Sequence, residues 1–339
     1  MTAAVTDLRT DDSDLAEVPA GRWDELAVPQ GWEPIAEICR DIKRDLAKSV
    51  RDTVDAIRLE VDLYRDAPIP TEDLVASVER NLEVLLLGIA ERRSPTAEEI
   101  AVRSALGSRR ARQAFPVDAL LAAYHVGYRD LWKRFLQHTD DEQVSHLLLG
   151  AASTMWEWTH RITDAIGRAH AETRRTLDAE AATVRQRFLE LLLTGEVDSD
   201  QQRTVCVLLG FEPRATFQAI VVGGTDTAAT PPPRLQSELN LIAGRHQAIP
   251  HKGRVVVISQ GGDTAAVRTA VCRLYPHAVV GVGLARSGLG GARLSVGDAE
   301  RAARTADGPG WHTFEDTWLW ATTRRSPTRC APAPTAASA

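Results

Sequence analysis

Between positions 34 and 64 the apolar residues Ile35, Ile38, Ile42, Leu46, Val50, Val54, Ile57 and Val61 recur every three or four places, the spacing of one helix face. The pattern predicts a single long helix over 34–64, ended by Pro68 and Pro70, which cannot donate a backbone hydrogen bond. Thr71, with Glu72 and Asp73 behind it, offers a fresh N-cap and an acidic first turn, so a second helix is expected to about Arg92. Ser94-Pro95-Thr96 followed by Glu98 and Glu99 gives a third start, running to the Arg109–Arg112 region. After Phe115 and Pro116, the residues Val117, Leu120, Leu121, Tyr124, Tyr128, Leu131 and Phe135 fall where only an α-helix would place them on one side. Val144, Leu147, Leu148, Ala151, Met155, Trp158, Ile162 and Ile166 repeat the pattern, and it thins out through Leu177, Val184, Phe188 and Leu191. No Pro or Gly interrupts 168–194. A helical bundle is expected, its last helix running on as a charged connector with the sparse apolar seam of a coiled-coil dimer.

The period then changes. Gly195 stops the connector, a short helix at 201–209 ends at Gly210, and Thr216–Val222 reads as a buried strand. A loop at 225–233, a helix at 234–245, a strand at 255–259, a helix at 264–274, a strand at 278–283 and a helix at 294–305 follow. A weaker strand at 247–249 is expected to pair with 255–259 as a hairpin. The fold class is therefore multidomain α and α/β: an N-terminal helical bundle, a long connector helix and a C-terminal α/β sandwich. Expected boundaries are a mobile arm at 1–30, a helical sensor-like domain with the start of the connector at 31–177, the α/β domain at 178–306, and a remnant with a disordered tail at 307–339.

Composition narrows the function classes. With 339 residues, 44% hydrophobic and 25% charged, two ordinary cores can be buried. The net charge of −6 argues against a protein that coats nucleic acid. Cys39, Cys206, Cys272 and Cys330 are far apart and read as isolated reduced thiols rather than a metal site. The first residues hold no apolar run, so a cytoplasmic chain with no membrane partner is expected.

Several segments carry a family resemblance. Arg187–Asp198 (RFLELLLTGEVD), the strands at 216–222 and 255–259, Gly281–Arg286 (GVGLAR), Gly290–Ser295 (GGARLS) and Asp298–Ala302 (DAERA) resemble the GGDEF-like domain of PucR/CdaR-type transcriptional regulators. Phe115–Trp132 (FPVDALLAAYHVGYRDLW) resembles the helical N-terminal domain, related to RsbR-type stressosome sensors, that often precedes it. The resemblance implies a transcription regulator that continues into a DNA-binding helix-turn-helix, whose entry would be Phe314–Ala321. Residues 322–339, rich in Ala, Pro and Arg, have no periodic apolar face. The expectation is a truncated or frame-shifted member, unable to bind DNA alone, that pairs with itself through the connector or with a full-length homologue.

The chemistry expected is that of binding. The hairpin turn near 250–253 (PHKG) holds no carboxylate, so the metal and phosphate site of a cyclase is missing. A diguanylate-cyclase-like or nucleotide-hydrolysing enzyme is the alternative. Gly281-x-Gly283 and Gly288-x-Gly290-Gly291 read as a strand exit that turns the chain rather than a phosphate cradle. No catalytic residue, metal ligand or cofactor is predicted. Tyr124, His125, Tyr128 and Arg129 are the candidate contacts for a small-molecule or protein signal. Trp156, Trp158 and His160 could line a cofactor site or equally fill the bundle core, and Arg109, Arg110 and Arg112 read as a solvated helix end.

Overall fold

The apolar stripe over 34–64 forms three helices rather than one: α1 (Glu33–Arg44), α2 (Leu46–Glu60) and α3 (Asp62–Arg65). The cause lies in the spacing. Steps of four residues advance about 40° beyond a full turn each, so an unbroken helix would carry its stripe around and away from the core. Asp45, at φ −102° and ψ 26°, breaks the helix and resets the face. The computed structural model describes residues 22–65, 69–138, 142–194, 199–223 and 232–323. The tail at 324–339 and most of the expected arm lie outside them. Within the arm, Trp23, Leu26 and Val28 pack against the bundle core instead of standing free.

The chain divides into two compact units, Met1–Leu177 and Asp178–Ala339. In the first, α4 (Thr71–Ala90) is preceded by Pro70 at its N-cap position, with Thr71 already helical. Helix α5 (Ala97–Arg112) starts from a complete capping box, Thr96 and Glu99 each holding the other's backbone amide. Helix α6 (Val117–Phe135), a 3-10 turn at Leu136–His138 and the first part of α7 (Glu142–Thr194), whose end belongs to the second unit, complete it. Two tryptophans pin the end of α4. The Trp32 indole donates to the Ile89 carbonyl at 2.8 Å, and the Trp158 indole to the Arg93 carbonyl at 2.6 Å. A β-carbon at Gly88 would lie 2.1 Å from the Trp158 ring. Gly107 similarly lets α5 meet α7, where a β-carbon would lie 2.6 Å from the Ile166 carbonyl oxygen.

The second unit is built on a mixed sheet. Its strands are β1 (Thr216–Gly223), β2 (Arg245–His251), β3 (Arg254–Gln260), β4 (Val279–Val282), β5 (Arg286–Ser287) and β6 (Gly310–Thr313). The order is β2-β3-β1-β4-β6, with β5 on β1. Every pairing is antiparallel except β4 with β6. Helices cover both faces, which is why β1 is buried on alternate residues to either side. Phe217, Ala219 and Val221 join a core with the end of α7, α8 (Asp200–Leu208) and α11 (Gly288–Thr305). Ile220 and Val222 join another with α9 (Pro232–Leu239) and α10 (Thr264–Leu274). Helix α12 (Phe314–Thr323) follows β6.

Three expectations change here. Helix α9 ends at Leu239, and Arg245 already belongs to β2. Strand β6 was not visible as a pattern, because Gly-Trp-His-Thr has neither alternation nor an apolar run. Helix α11 begins at Gly288, so the glycines read as a strand exit form its first turn.

The Gly281 and Gly283 pair serves packing. A β-carbon at Gly281 would lie 2.1 Å from the Ala299 carbonyl oxygen, and one at Gly283 would lie 2.0 Å from that of Ser295. Strand β4 thus touches the α11 backbone directly. Gly281→Ala is expected to cost about 1–3 kcal/mol, whereas Gly297→Ala, mid-helix with no backbone in the way, is expected to gain about 0.5–1 kcal/mol. Urea unfolding of both variants checks the contrast.

Candidate functional site

The four predicted contacts share one helix but not one face. On α6, Tyr124 and Tyr128 are one turn apart, and His125 and Arg129 follow about 100° around the axis. The tyrosine rings, 6.2 Å apart between centroids, line a cavity of about 60 Å³ enclosed by α2, α4, α5 and α6. His125 and Arg129 are exposed. Arg129 pairs with Glu60, and His125 lies instead along a groove beside His160 and Asp164. Trp158 is buried in the bundle while Trp156 is exposed.

The cavity is apolar on most sides and polar on one. Asn81 Oδ1 accepts from Arg103 Nε at 3.0 Å and from the Tyr124 hydroxyl at 3.4 Å, and Asn81 Nδ2 donates to the Ser77 carbonyl at 2.8 Å. Arg103 also reaches the Arg80 carbonyl. Arg110 reaches the cavity wall from α5. It is 7% exposed, its Nη1 donates to Gln113 Oε1 at 2.8 Å, and its Nε has no partner. No Asp or Glu lines the space. Arg110 is thus not part of a solvated helix end, although Arg112 beside it is exposed. The signal that would have found it was present: Arg103, Leu106, Gly107 and Arg110 fall at helical spacing on the buried face. Burial pushes the Tyr64 hydroxyl up to about 12 and raises that of Tyr128, with Tyr124 adding to the rise. Both stay protonated in the folded bundle.

In the second unit the glycines and charges are engaged structurally. Lys252 and Gly253, with φ of 49° and 73°, form a two-residue hairpin turn between β2 and β3, with no carboxylate in it. Asp263 caps α10, its Oδ1 accepting from the Ala265 amide at 2.8 Å. Asp298, 1% exposed, accepts from Arg286 at 2.8 Å and from Arg301 at 2.7 Å. The Ser295 hydroxyl accepts from the Ala219 amide at 2.9 Å and ties α11 to β1. Cys39 and Cys206 are buried and Cys272 is half-buried, all as free thiols; Cys330 lies outside the described residues. Among the described residues no group of three or more His, Cys, Asp or Glu is placed to hold a metal. No described helix is long and apolar enough to cross a membrane.

With this geometry in place, comparison identifies the two units. Residues 47–185 match the family model of the RsbT co-antagonist protein rsbRD N-terminal domain, and residues 194–305 match that of the GGDEF-like domain. The chain therefore carries an rsbRD-like helical domain followed by a GGDEF-like one. A solved structure similar to it is described as a regulator of polyketide synthase expression from Bifidobacterium adolescentis, with 17% identity and a TM-score of 0.31. That match covers 38% of this chain and 57% of the other, so the chain spans little more than half of that protein's length. No curated protein matches the chain.

The buried tyrosines set an alkaline limit on the bundle. The Tyr64 hydroxyl ionises near 10 in the unfolded chain and about 12 in the folded one. Its contribution is therefore complete below pH 10 and lost as pH rises from 10 to 12. The helical unit is expected to lose about 2–3 kcal/mol over that window through Tyr64. Unfolding measured against pH should show a shallower loss in Tyr64→Phe.

Proposed function

We propose that this chain is the signal-input and dimerisation portion of a PucR/CdaR-like transcriptional regulator. The observation that carries the reading is the continuity of α7, one helix of 53 residues that supplies Ile162 and Ile166 to the bundle core and Phe188 and Leu192 to the core beneath the sheet. Between 172 and 183 it is largely exposed, with Leu177 and Val184 among its few apolar positions. In this reading two chains pair along that seam. A signal bound by the bundle biases two connector packings close in energy, and the GGDEF-like unit receives the change. The GGDEF-like unit is catalytically silent, a reading supported by the Lys252-Gly253 turn, which offers no carboxylate for a metal-bound nucleotide. DNA reading falls to a segment or a homologous subunit beyond the described residues, and the working site of the protein is the cytoplasm.

The rival is a nucleotide-using enzyme, and turnover of a guanine nucleotide with magnesium or manganese would establish it. The dimer is tested by Leu177→Cys and Val184→Cys in a Cys272→Ser, Cys330→Ser background. Both are expected to form symmetric disulfide-linked dimers under mild oxidation. A chain that sediments as a monomer at micromolar concentration and does not crosslink would overturn the reading.

A further inference from the structure

We propose that the cavity of the helical unit binds a small monocarboxylate with a short apolar tail, its head group seated on the Arg110 guanidinium. An arginine keeps its charge inside a protein, and a buried charge is costly unless it is paired. Two buried carboxylates follow that rule: Asp298 is bound by two arginines, and Glu91 by Arg22 and Arg93. Arg110 departs from it. It is 7% exposed and faces a cavity without a carboxylate in its walls. Among the described residues, it makes one hydrogen bond, to a neutral amide. The nearby cation Arg103 is engaged with Asn81 and the Arg80 carbonyl, so the cavity offers one cation for one anionic group.

The rest of the ligand follows from the walls. Leu74, Val78, Leu82 and Leu120 face the cavity and favour an apolar body over a bare inorganic anion. A planar carboxylate matches the guanidinium fork in two parallel hydrogen bonds. The Tyr64 and Tyr128 hydroxyls also line the space and offer further donors. The volume is about 60 Å³, well below the roughly 150 Å³ that accommodates a benzene ring, which limits the tail to one or two carbon atoms. That such a ligand is the signal rests on the regulator reading above; that it binds does not.

The test is thermal unfolding of the full chain with sodium acetate, against acetamide and sodium chloride at equal ionic strength. Acetate is expected to raise the Tm saturably, by about 3–5 °C, and acetamide to leave it unchanged. Arg110→Met should keep or raise the Tm of the free protein, because it removes an unpaired buried charge, and should abolish the acetate shift. Ala123→Leu, which fills the cavity and leaves the arginine in place, should also lose the shift and serves if Arg110→Met does not fold. No shift with acetate, an equal shift with acetamide, or a shift that survives these variants would overturn the proposal. The connector crosslinks report separately on the regulator reading, so a bundle that binds nothing and a connector that does not pair are distinct results.

Discussion

Both cores of this protein depend on one helix remaining a helix. α7 lends Trp158, Ile162 and Ile166 to the bundle and Phe188, Leu189 and Leu192 to the sheet, so each core needs its own stretch of that helix. Its solvated middle gains little from burial and relies on local terms. Good helix formers fill 168–194 without Pro or Gly. Ion pairs one turn apart, Glu172 with Arg175 within that middle and Asp164 with Arg168 and Arg187 with Glu190 on either side, each add a few tenths of a kcal/mol, on the order of 0.3. None is large, and their sum sustains a long run that tertiary contacts leave to itself.

The sequence was most readable where one physical term dominates. Helix α10 spans 264–274 as expected, because Asp263 caps it and its apolar stripe is regular. The hairpin of β2 and β3 was marked by the branched run Val255–Ile258 after Lys252-Gly253, with Ile249 before it. Readability failed where the deciding term was geometric. The eight-residue stripe of 35–61 hid a break, because a drift of a few tens of degrees per step matters only once a core fixes the face. Gly288, Gly290 and Gly291 argued against a helix by propensity, yet Gly288 sits at φ 73° and a β-carbon at Gly291 would lie 2.8 Å from that of Arg286. In the candidate site, Tyr124 and Tyr128 were legible from periodicity. His125 and Arg129 were attached to them by adjacency, which on a helix means a different face. Arg110 was passed over because arginines near a helix end are usually outside.

The two units treat buried charge in opposite ways. In the GGDEF-like unit, Asp298 is fully answered by Arg286 and Arg301 and locks α11 to the start of β5. The aspartate there organises structure. In the bundle, Arg103 is answered by neutral oxygens and Arg110 only in part. Among the described residues, Arg110 Nε is a buried donor without a partner beside the cavity.

The two-residue turn at Lys252-Gly253 also bears on how such a domain can change over evolutionary time. Both positions are held at positive φ, a demand that glycine meets freely and that most other residues meet only at a cost. A turn this short displays a single side chain, and placing several carboxylates around a metal at that spot would take an insertion as well as new residues. Point mutation alone is therefore a poor route to a carboxylate-held metal at that turn.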